Sequence, residues 1–568
     1  MSSVKHPQVA AIVDESDANR KRLGALLDFL GIAWSAYSSM QLYRQRRSGG
    51  RFSAVLAPVS AMDDITSAVG STSFFYDASG MPEETYPLLV EDTITTTVSR
   101  NWPALTGPLC GLSVSVRVGC GSRVARLGAK DTSIIDTECG SVFFCREHGE
   151  SRRFVSCSSE IPALGESVKG KRYDVREHFL SAVPLLMYLQ YAFRDSSWRA
   201  SDPGACWIID DPPLRTKYGH CDFPLLDAQM KEHCFTTSIA MIPWNAHRTS
   251  PSMAALVNGS QGRLSVSVHG CDHTLREFGS DNAAELQAKT ASAQARMDRH
   301  CLTTGIKHDP IMIFPHGSFS RESLRVLQQH GFAAAVNTET LPLGHDHESL
   351  TVADVWRVAV LKYGSFPLFT RRYPSDGLAN FAFDLLLGKP CLVVEHQGFF
   401  KDDHAEVVRF VQALNSLNGN LQWRGLGDVI RGSFQWRLDD DAVVRIRMFG
   451  NELLLRNGRK EGVRYRVEKA DEGSVGVREV SVNERAIEWQ TAGDAISFTC
   501  EVPPCTEVLL RVRYAAPEHA VKGRSTLSSS MKVAGRRYLS EFRDNFLSRH
   551  AGLMAVAQKA RQITSRSR

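Results

Sequence analysis

The chain has 568 residues, too many for one hydrophobic core, so two to four domains are expected. With 43% hydrophobic and 23% charged residues, its composition is that of an ordinary globular protein and excludes disordered, collagenous and membrane-spanning classes. The 67 basic and 62 acidic residues leave a net charge of +5, too mild over this length to indicate a nucleic-acid partner.

The first residues hold one Lys and an apolar run of only five residues, Val9 to Val13, short of a signal-peptide core. No stretch approaches the roughly 18 apolar residues that cross a bilayer. The 13 Cys are scattered without CxxC pairs and read as reduced thiols. The expected location is therefore cytoplasmic.

In chain order, the run Val9–Val13 is followed by Leu23, Leu26, Leu27 and Leu30 at helical spacing, closed by Gly31. A second apolar run, Ala54–Pro58, lies at the distance of a parallel strand after a crossover, so residues 1–175 are expected to form an open α/β domain. Cys110, within Gly107-Pro-Leu-Cys-Gly111, does not sit in a nucleophile elbow and is expected to be buried and structural.

Over 198–432, short apolar strands alternate with helical stretches: Ala205–Ile209, Thr237–Ile242, Leu264–Val268, Ile311–Phe314, Ala333–Val336 and Cys391–Val394. That alternation predicts a (β/α) barrel. Helical periodicity then stops, and residues 433–515 read as a small β-sandwich. The segment 516–568 reads as a polar linker and a basic amphipathic helix over Arg536–Arg561, which could lie on an anionic membrane, contact polysaccharide-synthesis machinery or pack on its own protein.

Three signals fall at the ends of barrel strands, where barrel enzymes keep their chemistry. The strand Cys206–Ile209 runs into Asp210-Asp211. Adjacent residues at a strand mouth point apart, so one carboxylate can hold a cation while the other addresses a water. As a bare motif, an Asp pair opening a Pro turn is equally well a loop. The next strand signal ends in His269-Gly-Cys-Asp-His273, where two imidazoles four apart can share one ion on a turn or a first helical turn. The third delivers His396 from Cys391–Glu395, with an imidazole suited to proton donation near neutrality.

The order Asp-Asp, H-x-x-x-H, Pro315-His316-Gly317 and a late strand-end His resembles the polysaccharide deacetylase (NodB-homology) family over roughly residues 200–430. The resemblance implies a distorted (β/α) barrel that removes acetyl groups from acetylated glycans with a divalent metal. It assigns Asp210 as general base, Asp211, His269 and His273 as metal ligands, His396 as general acid, and the backbone N–H of His316 to the oxyanion. Zinc suits two imidazoles and one carboxylate best, with nickel, cobalt and manganese compatible. Two positions depart from the family: Ile313 stands where an Arg orients the base, with Arg357 a candidate for that role, and Gly270 replaces a Ser or Thr. Glycoside hydrolysis, with Glu395 as a second carboxylate, and a catalytically impaired glycan-binding or assembly protein are the alternative readings.

Overall fold

The computed structural model describes residues 9–47, 52–63, 65, 72–119, 121–149, 151–168, 172–344, 349–439, 443–473, 475–517 and 527–546. The chain opens with strand Val9–Ile12 and helix Asp17–Leu30. Ser16 caps the helix by accepting from the Asn19 N–H, and Gly31 ends it with φ 72°. Four parallel strands (Val9–Ile12, Ala33–Ala36, Ala54–Pro58 and Thr72–Tyr76) make one half of a nine-stranded sheet. The other half, between residues 93 and 156, is largely antiparallel, so the α/β pattern covers only the start of the segment. Cys110 is half-buried rather than buried, because it leaves a short turn, Gly107–Leu109, beyond the sheet.

Helix Phe179–Ala192 is apolar on nearly every side and joins this sheet to the barrel. Tyr188 packs at 5.0 Å from the Phe74 ring and 5.2 Å from that of Phe154, while Gln190 Nε2 donates to Leu386 O at 2.6 Å. A helix apolar all round is stable only when enclosed in this way.

The barrel has seven parallel strands, Gly204–Asp210, Thr237–Met241, Leu264–His269, Asp309–Ile313, Ala334–Asn337, Leu368–Thr370 and Cys391–Glu395. The last strand pairs with the first, and the edge at Leu368–Thr370 meets it through Arg372. Arg372 N–H donates to Leu392 O at 2.9 Å, and Val394 N–H donates to Arg372 O at 2.9 Å, which nearly closes the ring. Ile208, Ala240, Ile311, Ile313, Ala334, Val336 and Val394 fill the interior, making it a packed core rather than a pore.

Beyond the barrel, a six-stranded and a four-stranded sheet enclose an apolar core including Ile446, Val467, Val480, Ile496 and Leu510. This is a β-sandwich in which alternating side chains point inward. Helix Leu527–Asn545 then returns across the barrel mouth. Residues 547–561 of the expected basic helix lie outside the described residues. No helix among the described residues is long and apolar enough to cross a membrane.

Candidate metal centre and active-site cavity

The first barrel strand ends on Asp210, and Asp211 follows with φ 82°. That left-handed residue turns the chain so that the two carboxylates take different surroundings. Asp210, 4% exposed, receives both arms of the Arg371 guanidinium, Nη1 to Oδ1 and Nη2 to Oδ2, each at 2.7 Å. Burial pushes the Asp210 carboxyl up, but the charge of Arg371, with the nearby His269, outweighs it and holds the group below its ordinary value. Asp210 is thus an oriented carboxylate at neutral pH.

Asp211 faces the two imidazoles. Its Oδ1 lies 2.9 Å from His273 Nε2 and 3.4 Å from His269 Nε2, yet this buried oxygen has no hydrogen-bond partner among the described residues. One ligand atom from each of the three residues falls within 4.8 Å of the other two. An orphaned carboxylate oxygen beside two inward-facing nitrogens fits a divalent cation, and the two-imidazole, one-carboxylate set suits zinc or a neighbouring transition metal. His269 Nδ1 lies 3.0 Å from the Ile313 carbonyl, to which its N–H donates when Nε2 is the metal-facing nitrogen.

The two His are not on a helix. His269 is the last residue of its strand, and His273 sits in an irregular loop with φ 55°. Glu277, 1% exposed, holds that loop. Its Oε2 accepts from the N–H groups of Cys271 at 3.0 Å and His273 at 3.1 Å, and its Oε1 from that of Asp272 at 2.7 Å. Gly270 has φ 62°, and a Cβ there would meet Pro315 Cγ at 2.4 Å and Glu277 Oε2 at 2.5 Å. No side chain fits, which explains the absent Ser or Thr.

A cavity of about 900 Å³ opens over these groups, lined also by His316, Tyr373 and His396. All six candidate residues from the sequence therefore share one site. His316 has φ 55°, and its ring centre is 4.6 Å from that of His273. Burial, and to a lesser degree the neighbouring His273, push His316 down to about 4, so its imidazole is neutral at physiological pH. His396 is exposed at the rim, its N–H bonded to the Glu395 side chain at 3.2 Å. Glu395 does not line the cavity.

The Arg357 suggestion is corrected: Arg357 is exposed and does not line the cavity, and the carboxylate is held by Arg371 instead. Ile313 is a core residue whose backbone serves His269. Glu277 and Arg371 are not among the residues expected from sequence, and the helix Leu527–Asn545, expected only as basic and amphipathic, brings Arg536, Arg537 and Arg543 to the cavity. The pair Arg371-Arg372 after a run of Pro, Leu, Phe and Thr was the available signal for one of them.

Neither a protein-family model nor a curated protein sequence matches the chain. Among solved structures it is similar to a carbohydrate deacetylase, with 9% identity and a TM-score of 0.46 over 89% of this chain and 98% of that one. A family 4 carbohydrate esterase from Streptomyces lividans in complex with acetate shows 13% identity and a TM-score of 0.25, covering 40% of this chain and 93% of that one. A pseudoenzyme of the same esterase family from Bacillus anthracis shows 10% identity and a TM-score of 0.26, covering 41% and 66%. Similarities this remote carry no functional argument, and the chemistry rests on the residues of the site itself.

Proposed function

We propose that the chain is a metal-dependent hydrolase that removes acetyl groups from an N-acetylated polysaccharide or glycan precursor. The observation that carries this reading is the convergence of Asp211, His269 and His273 beside an Asp210 held by both arms of Arg371, at the mouth of a (β/α) barrel. A divalent cation held by those three residues would polarise the acetyl carbonyl and make the attacking water more acidic.

The protein's own groups account for the remaining steps. Asp210, ionised and fixed by Arg371, takes the proton of the attacking water on its carboxylate. The Pro315-His316-Gly317 turn brings the His316 backbone to the cavity, where its N–H serves the developing oxyanion. His396 at the rim gives a proton to the departing amine, so that acetate and a free amino sugar result.

The Arg371 fork supplies the orienting charge that the motif lacks at Ile313, which favours a working enzyme over an impaired binder. Glycoside hydrolysis with Glu395 as the second carboxylate is disfavoured because Glu395 stands off the cavity. A peripheral membrane contact is favoured by one observation. Leu539 at 71%, Phe542 at 54% and Phe546 at 61% exposure form an apolar face on the helix beside the cavity, next to Leu275 at 70%. The test of the main reading is release of acetate from N-acetylhexosamine oligomers by the metal-loaded protein.

A further inference from the structure

The helix Leu527–Asn545 turns Arg537 and Asp544 inward. Arg537 is 4% exposed and Asp544 6%, whereas Met531 is 75% exposed. Several polar ties fix this side to the barrel mouth. Arg248 Nη2 bonds Glu541 at 2.6 Å, the Tyr218 hydroxyl donates to Asp544 at 2.5 Å, and Gly219 N–H donates to Asn545 Oδ1 at 2.8 Å. Arg536 Nη2 donates to the carbonyl of His273, itself in the metal site, at 2.6 Å. The helix is thus built onto the site rather than resting near it.

The cavity lining is uneven in charge. Arg371 is matched by Asp210, Arg543 by Asp544 at 2.7 Å, and Arg172 by Glu339 of the lining at 3.6 Å and by Asp376 outside it at 3.2 Å. Arg536 and Arg537 make no carboxylate pair among the described residues, and the buried Arg537 Nε has no hydrogen-bond partner among them. A buried guanidinium left without an anion is costly, and its fork geometry suits carboxylate or phosphate oxygens.

We propose that Arg537, supported by Arg536, forms a subsite for an anionic group of the glycan, so that the substrate is a negatively charged acetylated sugar. This rests on the deacetylase reading for the word substrate; the anion subsite itself does not. Carboxylate and phosphate are the two sources of the same chemistry.

The test is calorimetric binding to the zinc-loaded full chain of three sugars: neutral N-acetylglucosamine, N-acetylglucosamine 1-phosphate and N-acetylmuramic acid. At least one anionic sugar should bind about ten- to hundredfold more tightly than the neutral one, and the stronger of the two identifies the source. In Arg537→Gln this gap should fall to within a few-fold. In the unsubstituted protein, raising salt should weaken only the anionic sugar, a readout that does not depend on the variant folding. Equal binding of all three sugars, a gap insensitive to salt, or a gap retained in a folded Arg537→Gln protein (as when phosphate binds the cation itself) would overturn the proposal. Binding without acetate release would leave the subsite standing and count against the deacetylase reading.

Discussion

Arg371 grips Asp210 with two parallel hydrogen bonds of 2.7 Å, and both side chains are almost fully buried. Removing one partner from such a pair costs about 3–5 kcal/mol, because the other is left as an unmatched buried group. Arg371→Gln should therefore melt earlier by circular dichroism. In the folded fraction, burial would dominate and raise the Asp210 pKa, so the acidic limb of the rate profile should move up by about one to three pH units. In the unsubstituted protein the sign is opposite. Asp210 titrates below its ordinary 3.8, so the pair's stabilising contribution is complete above that value and is lost only as pH falls towards the depressed folded one. An unchanged acidic limb in Arg371→Gln would detach Asp210 from the rate.

Glu277 positions the loop of His273 through three backbone N–H groups without facing the cation. Glu277→Gln keeps the shape but replaces one accepting oxygen by a donor. Its zinc affinity, measured by competition with a chromophoric chelator, should fall about 10- to 100-fold, as for other groups that hold a ligand in place. Affinity equal to that of the unsubstituted chain would mean that the loop holds its form unaided.

Gly270 is required by conformation and by space. Gly270→Ser would place a side chain at φ 62° against Pro315 and Glu277. Backbone strain alone costs about 1–3 kcal/mol, with the overlap in addition. Denaturant titration should show at least that loss, accompanied by weaker zinc binding.

The apolar face of the helix beside the cavity should bind bilayers. Sedimentation with anionic phospholipid vesicles should recover the full chain, and a Leu539→Ser, Phe542→Ser double variant should stay largely in the supernatant. Equal recovery of both proteins would assign the contact to other surfaces.

The motif Asp210-Asp211 and the pair His269, His273 could be read from sequence because each follows a strongly apolar strand, where a polar cluster stands out. The barrel could be read for the same reason, except at Leu368–Thr370, whose three residues are too few to show a period. Arg371 follows directly on that strand and has no periodic pattern to mark it, so in sequence Arg357 is as eligible for the base-orienting charge. Glu277 acts only through backbone amides, which leave no sequence pattern. The helix Leu527–Asn545 was legible as basic and amphipathic, but amphipathicity does not say which face is covered. Here the covered side carries Arg537 and Asp544 together with Val533, while Lys532, Arg536 and Arg543 stay exposed, because the helix helps to close a polar cavity.

The most direct measurement compares acetate release from N-acetylhexosamine oligomers by the chelated protein, the zinc-restored protein and zinc-loaded Asp210→Asn. Release should be absent after chelation and restored by zinc, and Asp210→Asn should be slower by about 100- to 10,000-fold while still binding the sugar. Absence of acetate from any acetylated glycan with zinc bound, or Asp210→Asn turning over at the unsubstituted rate, would contradict the assignment.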